Sequence, residues 1–293
     1  MRAMPQGARR APTHLILVAA LVCAGCATVP TGGRVVTGRP AQRAEPIDDP
    51  YVRMIPVPPG KGWVPEQIVR GFLTASANFD DQHKVARQYL TSGVVWQPDP
   101  RPVVTVYDKQ PDYLATIKSD EPTAMVGVRG SQLGTIGSDG QYKADARPLD
   151  QTFRLAKNAQ GQWRISELPD RLANSLLLST RAVARAFRTR NLYFFAPDAK
   201  VLVPNPVFLP LVNRRDLPAQ IVVAELNGPT AWLSHAVTTW FPTGTRLLGG
   251  VDVTDGVATV NLSREAWKGN QKGMSAQLMW ALKQLTEVKR MRL

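Results

Sequence analysis

The two cysteines of this 293-residue chain, Cys23 and Cys26, lie in the stretch "LVCAGCATVP" with C-x-x-C spacing. This spacing is found in thioredoxin-like redox pairs and in half of a zinc site. A redox pair needs a βαβ context and a zinc site needs a second pair of ligands. Neither is available, because no cysteine follows and the histidines are only His14, His83 and His235. The sequence therefore points to a different use for these two thiols.

The residues around the cysteines form a three-part leader. Arg2, Arg9 and Arg10 precede an apolar run of eleven residues, Leu15 to Gly25, and no acidic residue occurs before Cys26. A basic head, a short apolar stretch and a small-residue exit are typical of a secretory signal peptide. As a helix, the run rises only about 16 Å, against roughly 30 Å of hydrocarbon in a bilayer. We therefore predict a signal peptide at residues 1–25 rather than a spanning helix.

The exit of the leader, Cys-Ala-Gly-Cys, resembles the lipobox of bacterial lipoproteins, with Cys23 where leucine is usual. The resemblance implies that Cys26 carries S-diacylglycerol and an N-acyl chain and becomes the first residue of the mature protein. Two or more acyl chains hold a protein firmly to a bilayer, whereas one does not. The implied location is the extracytoplasmic face of the cell membrane.

Two other segments contain residue types found in metal sites or in phosphate-binding loops. Asp80, Asp81 and His83 lie within one turn and could hold a metal, but acids at a helix N-terminus are favoured by the helix dipole alone, so capping is preferred. The glycine-rich stretch "GVRGSQLGTIGSDG" (127–140) lacks the GK(S/T) of a phosphate loop, and we interpret it as hairpin turns.

Ser234 and His235, beside Thr238 and Thr239, could suggest a nucleophile and its base, but the G-x-S-x-G setting is missing. A buried or half-exposed structural histidine is preferred. With no paired carboxylates in an apolar setting, we predict that the protein is not an enzyme and has no catalytic residues, metal or cofactor.

The charge balance of the chain and its aromatic and arginine clusters indicate which kinds of partner the protein favours. The chain has 36 basic and 23 acidic residues, and the leader removes only three arginines. Outside the cytoplasm this excess favours anionic lipids and cell-wall polymers over nucleic acid. The cluster Trp232, Trp240 and Phe241 is interpreted as core rather than as a partner patch. The arginines of "STRAVARAFRTR" are interpreted as a solvated face; they are Arg181, Arg185, Arg188 and Arg190.

The elements that position these residues fall into two groups, so we predict an α+β protein with two domains. Residues 26–62 are rich in Pro and Gly and predict a tether. Residues 63–190 predict an NTF2-like α+β domain: a helix starting at Pro65, a second helix in "DDQHKVARQYL", strands, and the hairpin "TFRLAKNAQGQWRISEL".

A transition leads to the second domain. Ser179 or Thr180 is expected to cap a short basic helix ending near Arg190. Residues 191–293 then predict strands at 191–195 and 200–203, an apolar Pro-rich crossing, a helix in "DLPAQIVVAELNGP", glycine-turn strands, and the helix "GMSAQLMWALKQLTEV".

The segments "AELNGPTAWLSHAVTTWFPTGTRLLG", "DGVATVNLS" and "SAQLMWALKQLTEV" resemble the GerMN domain of sporulation and envelope proteins. With the lipobox, "PEQIVRGFL" and "NLYFFAPDAKVLVPNPVFLPL", the whole of residues 26–293 resembles the LpqB-type actinobacterial lipoproteins. That family usually continues into a C-terminal β-propeller, so a GerMN domain truncated before its next strand is expected at 191–293.

The resemblance also implies a function. LpqB-type proteins bind the extracytoplasmic part of the sensor histidine kinase of the Mtr two-component system and modulate its signalling in cell-envelope homeostasis. The alternative, suggested by the basic charge and the envelope kinship, is a peptidoglycan- or ligand-binding lipoprotein.

Overall fold

The first helix, α1 (Pro65–Ser76), follows the start signals in its sequence. Pro65 occupies the first turn, and the Val64 amide donates to Oε1 of Gln67 at 3.1 Å. Its apolar stripe, which includes Phe72, is buried. The Phe72 ring lies edge-on to the rings of Trp96 and Phe153. The predicted helix is confirmed.

This computed structural model describes residues 55–98, 101–108, 110–117 and 122–293. The predicted signal peptide, Cys26 and most of the predicted tether lie outside these ranges. Where the predicted tether enters the described chain, the Tyr89 hydroxyl donates to the Val57 carbonyl at 2.7 Å. No helix in the described ranges is long and apolar enough to cross a membrane.

α1 packs against a six-stranded sheet. Its strands are β1 (Val103–Tyr107), β2 (Asp112–Ile117), β3 (Thr123–Ile136), β4 (Tyr142–Lys157), β5 (Trp163–Glu167) and β6 (Ser175–Ser179). The order is β5-β4-β3-β1-β6, with β2 also paired to β3. The β1–β6 pair is parallel and the others are antiparallel. The α+β class is therefore confirmed, while the NTF2-like topology remains a prediction.

The interpretation of the glycine-rich segment 127–140 as hairpin turns is wrong over most of its length, where the chain forms a strand. β3 runs through Gly127, Gly130 and Gly134, with one register shift between Gln132 and Gly134. A side chain at Gly134 would collide with the Lys143 carbonyl of the neighbouring strand, so glycine is needed there for close pairing. Only residues 137–140 turn.

The predicted second helix is wrong over its first turn. Asp80–His83 forms a 3-10 turn, and only Lys84–Arg87 (α2) is an α-helix. Asp81, Gln82 and His83 have φ values of 48°, 53° and 60°. This left-handed backbone cannot continue the right-handed α1.

The transition helix α3 (Thr180–Ala186) is capped as predicted, because Oγ of Ser179 accepts from the Ala182 amide at 3.2 Å. It ends earlier than the expected Arg190, since residue 187 already begins strand β7 (Phe187–Phe195). β7 pairs antiparallel with β8 (Leu202–Pro210), so the expected Pro-rich crossing is a strand. A two-stranded ribbon tolerates proline where the amide would point away from the partner strand.

A second core forms between two helices and a small sheet. Its elements are α4 (Leu217–Leu226), β9 (Leu247–Thr254), β10 (Val257–Leu262), α5 (Gln271–Leu282) and β11 (Arg290–Arg292), with 3-10 helices at Arg214–Asp216 and Arg264–Lys268. The sheet order is β11-β10-β9, and β11 is parallel to β10. The last described residues therefore already form a strand, and the expected truncation of this domain stays a prediction.

The two cores lie within one compact body that contains all the described residues. We call residues 55–187 the N-terminal lobe and residues 188–293 the C-terminal lobe. The turn of the β3–β4 hairpin docks on β8, where the Phe208 amide donates to the Gly140 carbonyl at 2.9 Å. A second bond joins the Leu211 amide to the Ala186 carbonyl at 2.7 Å. Backbone hydrogen bonds thus fasten the lobes together.

Gly140 lies at the tightest point of this joint and has φ +79°. A Cβ here would lie 2.9 Å from the Phe208 carbonyl oxygen and 3.0 Å from Cβ of Val207. We expect Gly140→Ala to lower the free energy of unfolding by about 2–4 kcal/mol, from positive-φ strain plus overpacking. Urea denaturation of the purified chain measures this loss.

Gly161→Ala is the matched control, since Gly161 also has a positive φ (+71°) but nothing lies within 4 Å of its would-be Cβ. It should lose only about 1–2 kcal/mol from backbone strain. Equal losses in the two variants would contradict a close contact at the joint.

Candidate functional site

The one predicted site residue, Cys26, lies outside the described residues, so its lipidation stays a prediction.

The interpretation of Asp80, Asp81 and His83 as metal ligands finds no support: among the described residues, no group of three His, Cys, Asp or Glu side chains could hold an ion. The capping reading is also wrong in detail. Oδ1 of Asn78, not an aspartate, accepts from the Asp80 amide at 2.9 Å, and His83 turns inward and is buried.

The segment with Ser234 and His235 contains no nucleophile activated by a base. The Ser234 hydroxyl donates to the Ala231 carbonyl at 2.9 Å, and the His235 side chain is exposed. The expectation of a buried or half-exposed histidine is therefore wrong. Thr238 pairs through its backbone with Phe195 instead of completing a site.

The aromatic cluster near this segment divides between core and surface. Phe241 is buried, as predicted, and Trp240 is half-buried with its ring perpendicular to Phe195 at 5.8 Å. Trp232, in contrast, is 57% exposed, and Trp267 on the last 3-10 helix is 79% exposed. The interpretation of Trp232 as core is therefore wrong, and Trp267 was not singled out from the sequence, because spacing in irregular segments has no fixed periodicity.

The arginines of the transition helix and the strand after it differ in their exposure to solvent. Arg181 and Arg185 are exposed on α3, in line with a solvated face. Arg188 lies on β7 and is half-buried, and its guanidinium donates to the carbonyls of Ala184 and Phe187 at 3.2 and 2.9 Å. It acts as a cap for the end of α3.

A tyrosine pair, with Tyr107 buried and Tyr113 half-buried, links β1, β2 and α1. Tyr107 and Tyr113 are hydrogen-bonded to each other, and burial raises the pKa of both hydroxyls. The Arg70 guanidinium of α1 lies 4.7 Å from the centre of the Tyr113 ring. The pair is held un-ionised and serves packing rather than acid–base chemistry.

The C-terminal lobe buries one carboxyl group, that of Glu225 on α4. Its Oε1 and Oε2 accept from the Tyr193 amide of β7 at 3.3 and 3.1 Å. Nε2 of Gln277, on α5, donates to Oε1 of Glu225 at 3.1 Å and to the Tyr193 carbonyl at 2.9 Å. Oε1 of Gln277 accepts from the Trp240 amide at 2.8 Å. Glu225 and Gln277 therefore connect α4, α5, β7 and the backbone of Trp240 through hydrogen bonds.

Burial raises the pKa of Glu225 from 4.5 to about 8 and outweighs its hydrogen bonds to Tyr193 and Gln277. The carboxyl is therefore protonated in the folded chain at neutral pH, since burial disfavours the charged form. A sequence signal existed: Glu225 is the only acid within the apolar helix Leu217–Leu226. Without its partners, however, its role could not be assigned.

The raised pKa of Glu225 predicts a pH-dependent stability. Between pH 4.5 and 8 the folded chain holds a proton that the unfolded chain has released, so the free energy of unfolding falls as the pH rises. Glu225→Gln removes this titration. We expect the stability of the variant relative to wild type to rise by about 1–4 kcal/mol between pH 5 and 8, measured by urea denaturation.

Glu287→Gln, at an exposed position of the same lobe, is the control and should leave the pH dependence as in wild type. Parallel pH profiles for wild type and Glu225→Gln would show that Glu225 ionises normally in the folded protein.

Comparison with known proteins identifies both halves of the chain. Residues 58–182 match the family model of the N-terminal domain of lipoprotein LpqB, and residues 191–293 match the model described as sporulation and spore germination. Lipoprotein LpqB of Thermobifida fusca is 40% identical over 282 residues, which are 92% of this chain and 44% of that protein. Lipoprotein LpqB of Cutibacterium acnes is 31% identical over 95% of this chain and 45% of its own length.

Two further proteins are similar to this chain at lower identity. Lipoprotein LpqB of Mycobacterium tuberculosis is 28% identical over 83% of this chain and 39% of its own length. The solved tandem GerMN domains of the sporulation protein GerM from Bacillus subtilis align with a TM-score of 0.29 and 18% identity, over 36% of this chain and 38% of theirs.

The chain thus spans less than half the length of these curated relatives. Over that length it carries the LpqB N-terminal domain followed by the sporulation and spore germination domain. It belongs to the LpqB lipoprotein family.

Proposed function

We propose that this protein is a lipid-anchored extracytoplasmic lipoprotein that binds the sensor kinase of the Mtr two-component system and modulates its signalling in cell-envelope homeostasis. The observation that carries the proposal is its 40% identity, over 92% of the chain, to a lipoprotein LpqB. Binding the extracytoplasmic part of that kinase is what the LpqB resemblance implies.

The anchor is argued from the first 26 residues. A basic head, the apolar run Leu15 to Gly25 and the Cys-Ala-Gly-Cys exit together favour acylation of Cys26. The described body begins some thirty residues later, where Val57 is held by Tyr89. In this arrangement, the two lobes act beyond the outer surface of the membrane.

A binding role agrees with the surface of the C-terminal lobe. Trp232 and Trp267 expose 57% and 79% of their side chains. Tryptophan is enriched among the side chains that carry most of the energy of protein–protein interfaces. Exposure of two such rings is a reason to place kinase contacts on this lobe.

The lipid anchor can be tested on the two cysteines. Cys26→Ala should abolish labelling of the chain with radioactive palmitate and release it from the membrane fraction of an actinobacterial host. Cys23→Ala is the matched control and should retain both label and membrane association, because the leader containing it is removed. Continued labelling of Cys26→Ala would disprove the assigned acylation site.

Kinase binding can be tested by capture from gently solubilised actinobacterial membranes. The full chain should recover the Mtr sensor kinase. Trp267→Ser and Trp232→Ser should each reduce recovery by about tenfold or more, with unchanged urea midpoints because both rings are exposed. The control Lys268→Ala alters a neighbouring exposed side chain and should recover the kinase as wild type does.

The second candidate function, peptidoglycan binding, is favoured by the basic charge of the chain. Co-sedimentation with purified peptidoglycan at low salt, lost at high salt, together with no kinase recovery, would replace kinase binding by this function. Kinase recovery without sedimentation supports the first proposal.

A further inference from the structure

A cleft of about 680 Å³ lies on the sheet of the N-terminal lobe. Residues of β1, β3, β4 and β6 line it, together with the segment that leads into β6, and none of the lining comes from the C-terminal lobe. Two arginines, Arg147 and Arg171, and the side-chain amide of Gln132 belong to this lining. The volume lies within the range of roughly 300–1,000 Å³ that small-molecule sites occupy.

Gln132 is the unusual member of this lining, because it is a polar residue that is only 4% exposed. It lies where β3 shifts register against both of its neighbours, between Gln132 and Gly134 on the β4 side and beside Tyr107 on the β1 side. Such bulges bend a strand and redirect its side chains, and they are frequent next to functional sites. The irregular pairing therefore accounts for a buried amide at the wall of a cleft.

Asp145 holds the amide of Gln132 in one orientation. Nε2 of Gln132 donates to Oδ2 of Asp145 at 2.8 Å and to the Asp145 carbonyl at 3.3 Å. Both partners are acceptors, so the NH2 group faces Asp145 and Oε1 points away from it. Oε1 accepts no hydrogen bond from the described residues, and it is not one of their fully buried unpaired atoms, so it keeps contact with solvent. Gln132 therefore presents a free acceptor to the cleft.

The Arg147 guanidinium lies beside this acceptor, on the same carboxylate. Nε of Arg147 lies 3.4 Å from Oδ2 of Asp145, the oxygen that Gln132 also contacts. The two terminal nitrogens of Arg147 have no partner in the part of the chain that the structure describes. A free acceptor and free donors therefore lie side by side, and Asp145 balances the charge of Arg147. This arrangement is complementary to a peptide group, whose N–H donates and whose carbonyl accepts.

Arg171 is the one charged side chain of the lining that has no ionic partner within the described ranges, whereas Asp150 lies 3.4 Å from Arg129. The Arg171 carbonyl accepts from the Ser175 hydroxyl, which places this residue beside the start of β6. β1 lies between β3 and β6, so two strand spacings, about 10 Å, separate Gln132 from this edge of the cleft. An unpaired guanidinium favours a carboxylate, because hydrogen bonds between charged groups are the stronger ones.

We propose that this cleft binds a short extended peptide that ends in a free carboxylate. One peptide group of the ligand donates its N–H to Oε1 of Gln132, and its carbonyl accepts from the Arg147 guanidinium. The terminal carboxylate pairs with Arg171, at a separation that about three extended residues span, at roughly 3.3 Å each. The site lies entirely in the N-terminal lobe, so it is independent of the kinase contacts proposed on the exposed tryptophans of the C-terminal lobe.

The test is an NMR titration of the ¹⁵N-labelled full chain with three probes: acetyl-trialanine, its C-terminal carboxamide and hexanoate. The first probe has peptide groups and a carboxylate, the second lacks the carboxylate, and the third lacks the peptide groups. We expect acetyl-trialanine to shift the amide resonances of Thr105 and Thr135, which line the cleft, saturably. It should bind about tenfold more tightly than the carboxamide, because the bond to Arg171 is charged. Hexanoate should bind about tenfold more weakly than acetyl-trialanine, because it forms no hydrogen bond to Gln132.

Two variants locate the effect. Arg171→Gln changes an exposed residue and should abolish the preference for acetyl-trialanine over its carboxamide. Gln132→Met should weaken both peptides by a similar factor, about tenfold, and keep that preference, with urea denaturation reporting its stability. Arg181→Gln, at an exposed position of α3 outside the cleft, is the control and should bind as wild type.

The comparison of wild type with Arg171→Gln stands even where Gln132→Met loses stability. Equal binding of acetyl-trialanine and its carboxamide by wild type, or a preference that survives Arg171→Gln, would overturn the proposal. Hexanoate binding as tightly as the peptide, or no saturable shift with any probe, would overturn it as well.

Discussion

The close approach of the hairpin turn at 137–140 to strand β8 holds the two lobes of the described chain together. Each lobe has its own apolar core, yet backbone hydrogen bonds cross between them, from the Phe208 amide to the Gly140 carbonyl and from the Leu211 amide to the Ala186 carbonyl. The Tyr142 and Phe208 rings add an aromatic contact at 6.2 Å. Because backbone groups fix geometry more tightly than long side chains do, the described chain presents its surfaces as one body, and a cleft beside His83 takes its lining from both lobes.

Buried polar side chains organise each lobe in a different way. In the C-terminal lobe, Glu225 and Gln277 satisfy backbone groups of Tyr193 and Trp240 that no strand partner reaches. In the N-terminal lobe, His83 satisfies only part of its own hydrogen-bonding capacity. A satisfied network specifies how helices and strands meet, whereas a buried polar atom without a partner costs the fold free energy.

Regular patterns in the sequence predicted the regular elements. The stripe of α1, the hairpin between β4 and β5, the Ser179 cap and the proline-started helix α4 all rest on local periodicity or capping, and all are present. Errors occurred where tertiary pairing overrides local preference. Proline indicated an irregular crossing in β8 and glycine indicated turns in β3, but pairing with β7 and β4 made both segments strands. The left-handed turn at 81–83 and the partners of Glu225 depend on contacts distant in sequence, so no local signal could reveal them.

Because backbone hydrogen bonds join the two lobes, we expect both lobes to unfold as one cooperative body. Native-state hydrogen exchange at increasing urea measures this cooperativity by following core amides of the paired strands, such as Val126 in β3 and Ala258 in β10. The opening free energies of these amides should converge on one global value, because the lobes unfold together. Two separate plateaus, with the C-terminal lobe opening while the N-terminal lobe stays protected, would contradict it.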